Sequence, residues 1–60
     1  MSVSVEGVLV AATDKAIKVD IDGEQHWFPR SQVEIVEGGD EIDDDIIIDV
    51  PAWLAEQKGL

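Results

Sequence analysis

The sequence predicts an all-β domain of five short strands with a short helix at its C-terminal end. Three observations predict it. Apolar and polar residues alternate over several short runs, Asp22-Gly23 separates two of those runs, and Pro29 and Pro51 stand where two others stop.

Val3-Ser4-Val5-Glu6 alternates, and Gly7 leads into Val8-Leu9-Val10-Ala11-Ala12. A first strand from Val3 to Ala11 is expected, with a bulge or bend at the glycine. Thr13-Asp14-Lys15 supplies turn formers. Ala16-Ile17-Lys18-Val19-Asp20-Ile21 then alternates again, with Ile17, Val19 and Ile21 on one face. Asp22-Gly23 tolerates positive φ at both central positions of a type I′ turn, so a hairpin joins the second strand to a third that starts near Glu24.

The third strand, Glu24-Gln25-His26-Trp27-Phe28, stops at Pro29, which has no N–H for a ladder. Pro29-Arg30-Ser31-Gln32 is too short for an α-helix and suits a tight turn or one 3₁₀ turn. Val33-Glu34-Ile35-Val36 returns as a fourth strand. A loop rich in glycine and acids, Glu37 through Asp45, delivers the chain to Ile46-Ile47-Ile48-Asp49-Val50, the fifth. From Pro51 to Gly59 the residues read as a helix, with Pro at its start, Lys58 in the last turn and Gly59 just past the end. Two turns cannot stand alone in water, so the Trp53-Leu54 side is expected to dock on the strands.

Five short antiparallel strands, a tight turn between the third-strand proline and the fourth strand, and a terminal helix point to an SH3-like, partly open barrel spanning residues 1–60 as one acidic domain. An oligonucleotide-binding barrel has the same strand count but usually needs more chain.

Composition narrows the function. A chain of 60 residues lies near the lower size limit for a domain. It has no cysteine and a single histidine, His26, so neither a disulfide framework nor a thiolate or histidine metal cluster is available. Fourteen acids against four bases give a formal charge of −10, which repels phosphate backbones and anionic lipid surfaces; direct nucleic-acid or membrane binding is not expected. Disorder is not expected either, because Val and Ile alone supply fifteen residues. Met1-Ser2-Val3-Ser4-Val5-Glu6 lacks the pattern of a signal peptide and no segment reaches the length of a membrane span, so a cytoplasmic location is expected.

Eight of the fourteen acids, Glu34, Glu37, Asp40, Glu41, Asp43, Asp44, Asp45 and Asp49, fall in a window that holds no Lys or Arg. Such runs ordinarily serve as solvated surface that keeps a strand edge from pairing with other chains. Read functionally, the run is an anionic patch that imitates a phosphate backbone and steers toward a Lys/Arg-lined groove. Asp40-Glu41-Ile42-Asp43-Asp44-Asp45 lacks the sixth-position glycine and the closing glutamate of a calcium loop, so no metal is assigned. Asp20, Asp22 and Glu24 belong to turn chemistry. Of the neighbours Trp27 and Phe28, one faces in and one out; volume favours Phe28 for the core, leaving Trp27 covered by the helix or exposed for a partner. His26 and Ser31 have no walled pocket in a barrel this small, so no catalytic residue and no cofactor is assigned.

At Trp27-Phe28-Pro29-Arg30-Ser31-Gln32-Val33, and again from Val50-Pro51-Ala52-Trp53-Leu54-Ala55 to Lys58-Gly59-Leu60, the chain resembles a set of short proteins carried by bacteriophages and prophages. Their pattern is a tryptophan, Pro-Lys-Ser-Gln, an acidic linker, and Pro-x-Trp-Leu-Ala with a Lys-Gly-Leu ending. Most of the chain takes part, and Arg30 departs from the usual lysine. The resemblance implies a phage or mobile-element origin and an accessory role near nucleic-acid metabolism or host defence; no catalytic or ligand residue comes with it. Physically, the two motifs act together as a lock, Pro29 to Gln32 shaping the turn and Trp53 with Leu54 covering the open end of the barrel.

The expected function is therefore a non-enzymatic protein-binding module: an acidic inhibitor or modulator, of the anti-CRISPR or anti-restriction kind, of a host nucleic-acid-binding enzyme. The residues assigned to it are Glu37, Asp40, Glu41, Asp43, Asp44 and Asp45, with Trp27. The alternative is an assembly accessory of phage replication or the virion, acting through Trp27 or an apolar edge at Ile46-Ile47-Ile48, where a homodimer would cover the second face.

Overall fold

Residues 1–60 are described by a computed structural model. It comprises β1 (Ser2–Ala12), β2 (Ala16–Ile21), β3 (Glu24–Pro29), β4 (Glu34–Gly38), β5 (Asp45–Pro51) and α1 (Ala52–Gln57). The strands form one antiparallel sheet in the order β3-β2-β1-β5-β4, which is the small five-stranded fold with a terminal helix that the alternation predicts.

The long first strand organises the sheet. Its first half pairs with β5, from Ser2 opposite Pro51 to Val8 opposite Asp45, and its second half pairs with β2, from Val8 opposite Asp20 to Ala12 opposite Ile17. Gly7 sits just before Val8, the residue at which the two pairings meet. A β-carbon there would lie 2.4 Å from the Asp20 carbonyl oxygen and 2.8 Å from a Val19 methyl, so only glycine lets the strands approach this closely. The bulge itself falls further on, between Leu9 and Ala11, rather than at the glycine.

The Asp22-Gly23 hairpin forms as the residues demand, with φ of 53° and 87°, and the Gly23 N–H donates to Asp20 Oδ1 at 3.0 Å. At the Pro29 turn the Gln32 N–H donates to the Pro29 carbonyl at 3.0 Å. Arg30 ties this turn to the β1–β2 connection: its N–H donates to the Lys15 carbonyl at 2.8 Å and its Nε to the Thr13 carbonyl at 2.9 Å.

One face of the sheet is apolar. Val5, Leu9, Ile17, Val19, Phe28, Ile46, Ile48 and Val50 are buried there, joined by Leu54 and Ala55 of α1. The sheet curls around them and stays open between β3 and β4, which share no ladder. Ile17 of β2 and Val33, Glu34 and Ile35 at the far edge line one cleft beside Arg30, so the two ends of the sheet turn toward each other.

Two expectations are corrected. The helix docks by Leu54 and Ala55, whereas Trp53 points away and is 55% exposed. A helix this short offers one narrow inward stripe, and Leu54, Ala55 and Lys58 occupy it. Lys58 Nζ stands 5.5 Å over the ring of Phe28. The end is closed by paired bonds, Gly59 N–H to Glu56 O at 3.1 Å and Leu60 N–H to Ala55 O at 2.8 Å. Second, Ile46-Ile47-Ile48 is no edge: β5 runs between β1 and β4, with Ile46 and Ile48 buried and Ile47 half-buried. The open edges are β3 and β4.

Candidate functional site

The outer face of β1, β5 and β4 carries a ring of carboxylates. Side chains alternate across a strand, so Asp45, Ile47 and Asp49 share the outer face opposite buried Ile46, Ile48 and Val50. The ladders place Glu6 and Glu37 on either side of Ile47, and Ser4 and Glu34 on either side of Asp49. Glu6, Glu34, Glu37, Asp45 and Asp49 therefore surround one half-buried isoleucine. Glu6, Glu37, Gly38, Asp45 and Ile47 line a shallow hollow at its centre.

No Lys or Arg stands among them, and Met1, which carries the chain's amino group, shares a hollow with Glu34 and Asp49. Lys15, Lys18 and Arg30 belong to the β1–β2 turn, β2 and the turn after β3, and Lys58 follows α1; no Lys or Arg forms an ion pair anywhere in the chain. Glu34 and Asp49, directly opposite each other, are a like-charge cross-strand pair of the kind that destabilises a sheet.

Of the acids singled out in the sequence, Glu37 and Asp45 belong to this ring, while Asp40, Glu41, Asp43 and Asp44 form the hairpin loop beyond it. That loop is held by its backbone. The Asp43 N–H donates to the Leu9 carbonyl at 2.7 Å and the Leu9 N–H to the Asp44 carbonyl at 2.9 Å, extending the β1 ladder. The Glu41 N–H donates to Asp44 Oδ2 at 3.2 Å, so Asp44 is partly turned inward as a loop support. Gly38 lets the chain enter: its φ is +75° and a β-carbon would lie 2.1 Å from the Asp45 carbonyl oxygen. No three acidic or histidine side chains converge as metal ligands.

Trp27 is not brought together with the acids. It lies on the outer face of β3, at the opposite end of the strand order, 45% exposed, with Lys18 Nζ 5.7 Å from its ring. Phe28 is fully buried, as volume predicts, and Trp27 takes the exposed alternative, flanked by Lys18 and not covered by the helix. His26 faces inward beside Phe28, ring centroids 6.3 Å apart, with Glu24 Oε2 3.5 Å from its Nε2 outside hydrogen-bond geometry. Ser31 is exposed in the Pro29 turn, and no hydrogen bond links it to His26.

Glu6 lies far from the acidic window, so the sequence gives no sign that it joins the ring, and Glu34 and Asp49 lie in that window but outside the residues the sequence assigns to binding. The signal for all three is outward parity on β1, β4 and β5, which becomes readable only once the β1–β5 and β4–β5 pairings are known. No family model, curated protein or solved structure matches the chain.

Proposed function

We propose that the chain is a non-enzymatic protein-binding module whose acidic sheet face receives a basic surface of a nucleic-acid-binding enzyme. The observation that carries this reading is the ring of Glu6, Glu34, Glu37, Asp45 and Asp49 around Ile47 with no Lys or Arg among them. Solubility alone does not require acids to face each other across a ladder, as Glu34 and Asp49 do. A half-buried apolar residue inside a charged rim also has the make-up of a small contact centre. An inhibitor of the anti-restriction or anti-CRISPR kind, as the phage resemblance implies, would use such a face in place of a phosphate backbone.

The test is affinity capture from host lysate by the native chain and by a variant with Glu6→Gln, Glu37→Gln, Asp45→Asn and Asp49→Asn, followed by identification of what each retains. A nucleic-acid enzyme held by the native chain alone, and released by salt, supports the reading. The same proteins on both resins would sink it.

A second reading, an accessory of phage replication or virion assembly acting through an apolar edge, moves to β4, where Ile35 and Val36 are exposed at the open side of the sheet. Binding that is indifferent to salt favours it.

A further inference from the structure

We propose that the free edge of β4 takes up an extended, Lys/Arg-rich segment of the partner protein as a sixth strand, with basic side chains outward against Glu34 and Glu37 and an apolar one inward beside Ile35. The proposal rests on the reading that the acidic face receives a basic protein, and adds how that protein's chain is held.

The edge is open. β4 is hydrogen-bonded to β5 alone, all five of its residues are exposed, and no side chain donates to or accepts from its outer side. A strand in this position presents a row of N–H and C=O groups aimed at solvent, the template used in strand addition.

Between Glu34 and Glu37 the edge is apolar. Ile35 is 39% and Val36 56% exposed, and beside Ile35 lies a cleft of about 270 Å³ lined by Ile17, Arg30, Val33, Glu34 and Ile35. Because side chains alternate, an added strand with one residue turned into this cleft turns its neighbours outward, level with Glu34 and Glu37.

Charge then chooses the occupant. A second copy of this chain paired on the same edge would set Glu34 and Glu37 against their own equivalents, which like-charge cross-strand pairing disfavours. The carboxylates that deter self-pairing favour a cationic strand, with Asp49 adding to the field from the next strand. The bulge between Ile35 and Glu37 limits regular pairing to a short segment.

The experiment uses a fluorescein-labelled peptide of alternating lysine and valine, and two N-methylated forms of it, each methylated on the amides of one edge only. Anisotropy titrations against the full chain read the affinity of all three. The unmodified peptide and one methylated form should bind alike, while the other loses about tenfold or more, because its donors toward β4 are gone. Hydrogen exchange at the β4 amides should slow in the complex. Equal binding by all three peptides, weakened alike by salt, would overturn strand addition while leaving the acidic-face reading intact. No binding by any of them would also overturn it, and the lysate capture then decides the acidic-face reading separately.

Discussion

Glu34 and Asp49 stand directly opposite each other on neighbouring strands, two acids in one ladder position that form an ion pair with no Lys, Arg or amino group. Removing one charge relieves that repulsion. Asp49→Asn should raise stability by about 0.5 kcal/mol at low ionic strength, within the range of a like-charge cross-strand pair. The gain should fade near 1 M salt, where the screening length is about 3 Å. Thermal melts of both chains at two salt concentrations measure it; a loss of stability in the variant would show that Asp49 has a partner.

Gly7→Ala should destabilise the fold by about 2–3 kcal/mol, the ordinary cost of forcing a methyl group into filled space. The obstacles are the Asp20 carbonyl and Val19 methyl, on a β2 that is itself paired on its other side to β3. Urea unfolding of the variant checks this, and a midpoint equal to that of the native chain would mean that β1 and β2 separate with little resistance.

Leu54→Ala should cost about 3 kcal/mol, since a buried leucine is lost where Leu54 and Ala55 seal the core. Trp53→Ala should stay within about 0.5 kcal/mol, because the larger residue points to solvent. Comparing the two by chemical denaturation tests which side of α1 is docked. The reverse ranking would place the tryptophan inward.

Trp27 and Trp53 are both open to water, at 45% and 55% exposure. Acrylamide should quench the emission of the folded chain nearly as well as that of the chain in denaturant. Strong protection in the folded state would require another molecule, such as a second copy, to cover them.

Much of the fold was legible because each strand announces its faces. Ile17, Val19 and Ile21 alternate with Lys18 and Asp20, and Asp22-Gly23 specifies a turn with few alternatives. Ile46-Ile47-Ile48 is expected at an edge yet lies between β1 and β4, because the residues of a strand report its faces and not which strands flank it. Glu34 and Asp49 are visible as members of the acidic window, but that they face each other emerges only from the β4–β5 pairing, and Glu6 belongs to the ring only because β1 crosses the sheet beside β5. The need of a two-turn helix to dock predicts the Trp53-Leu54 side inward, yet the phase of a single helical turn gives the inward positions to Leu54 and Ala55.

The shared role of β1 bears on how the chain reaches this shape. The β2–β3 and β4–β5 hairpins join neighbours in sequence and have the makings of fast local units, on the order of 1–10 μs. β1 and β5 lie near opposite ends of the chain, and closing that distance comes at an entropic cost before any ladder bond repays it. Assembly of this small sheet is thus set by a long-range encounter, and changes along the β1–β5 ladder should slow refolding more than equal changes in either hairpin turn. Until that ladder closes, β5 presents Ile46, Ile47 and Ile48 to solvent, and the acids on either side of them, Asp43, Asp44, Asp45 and Asp49, act as gatekeepers against aggregation of the unfinished chain.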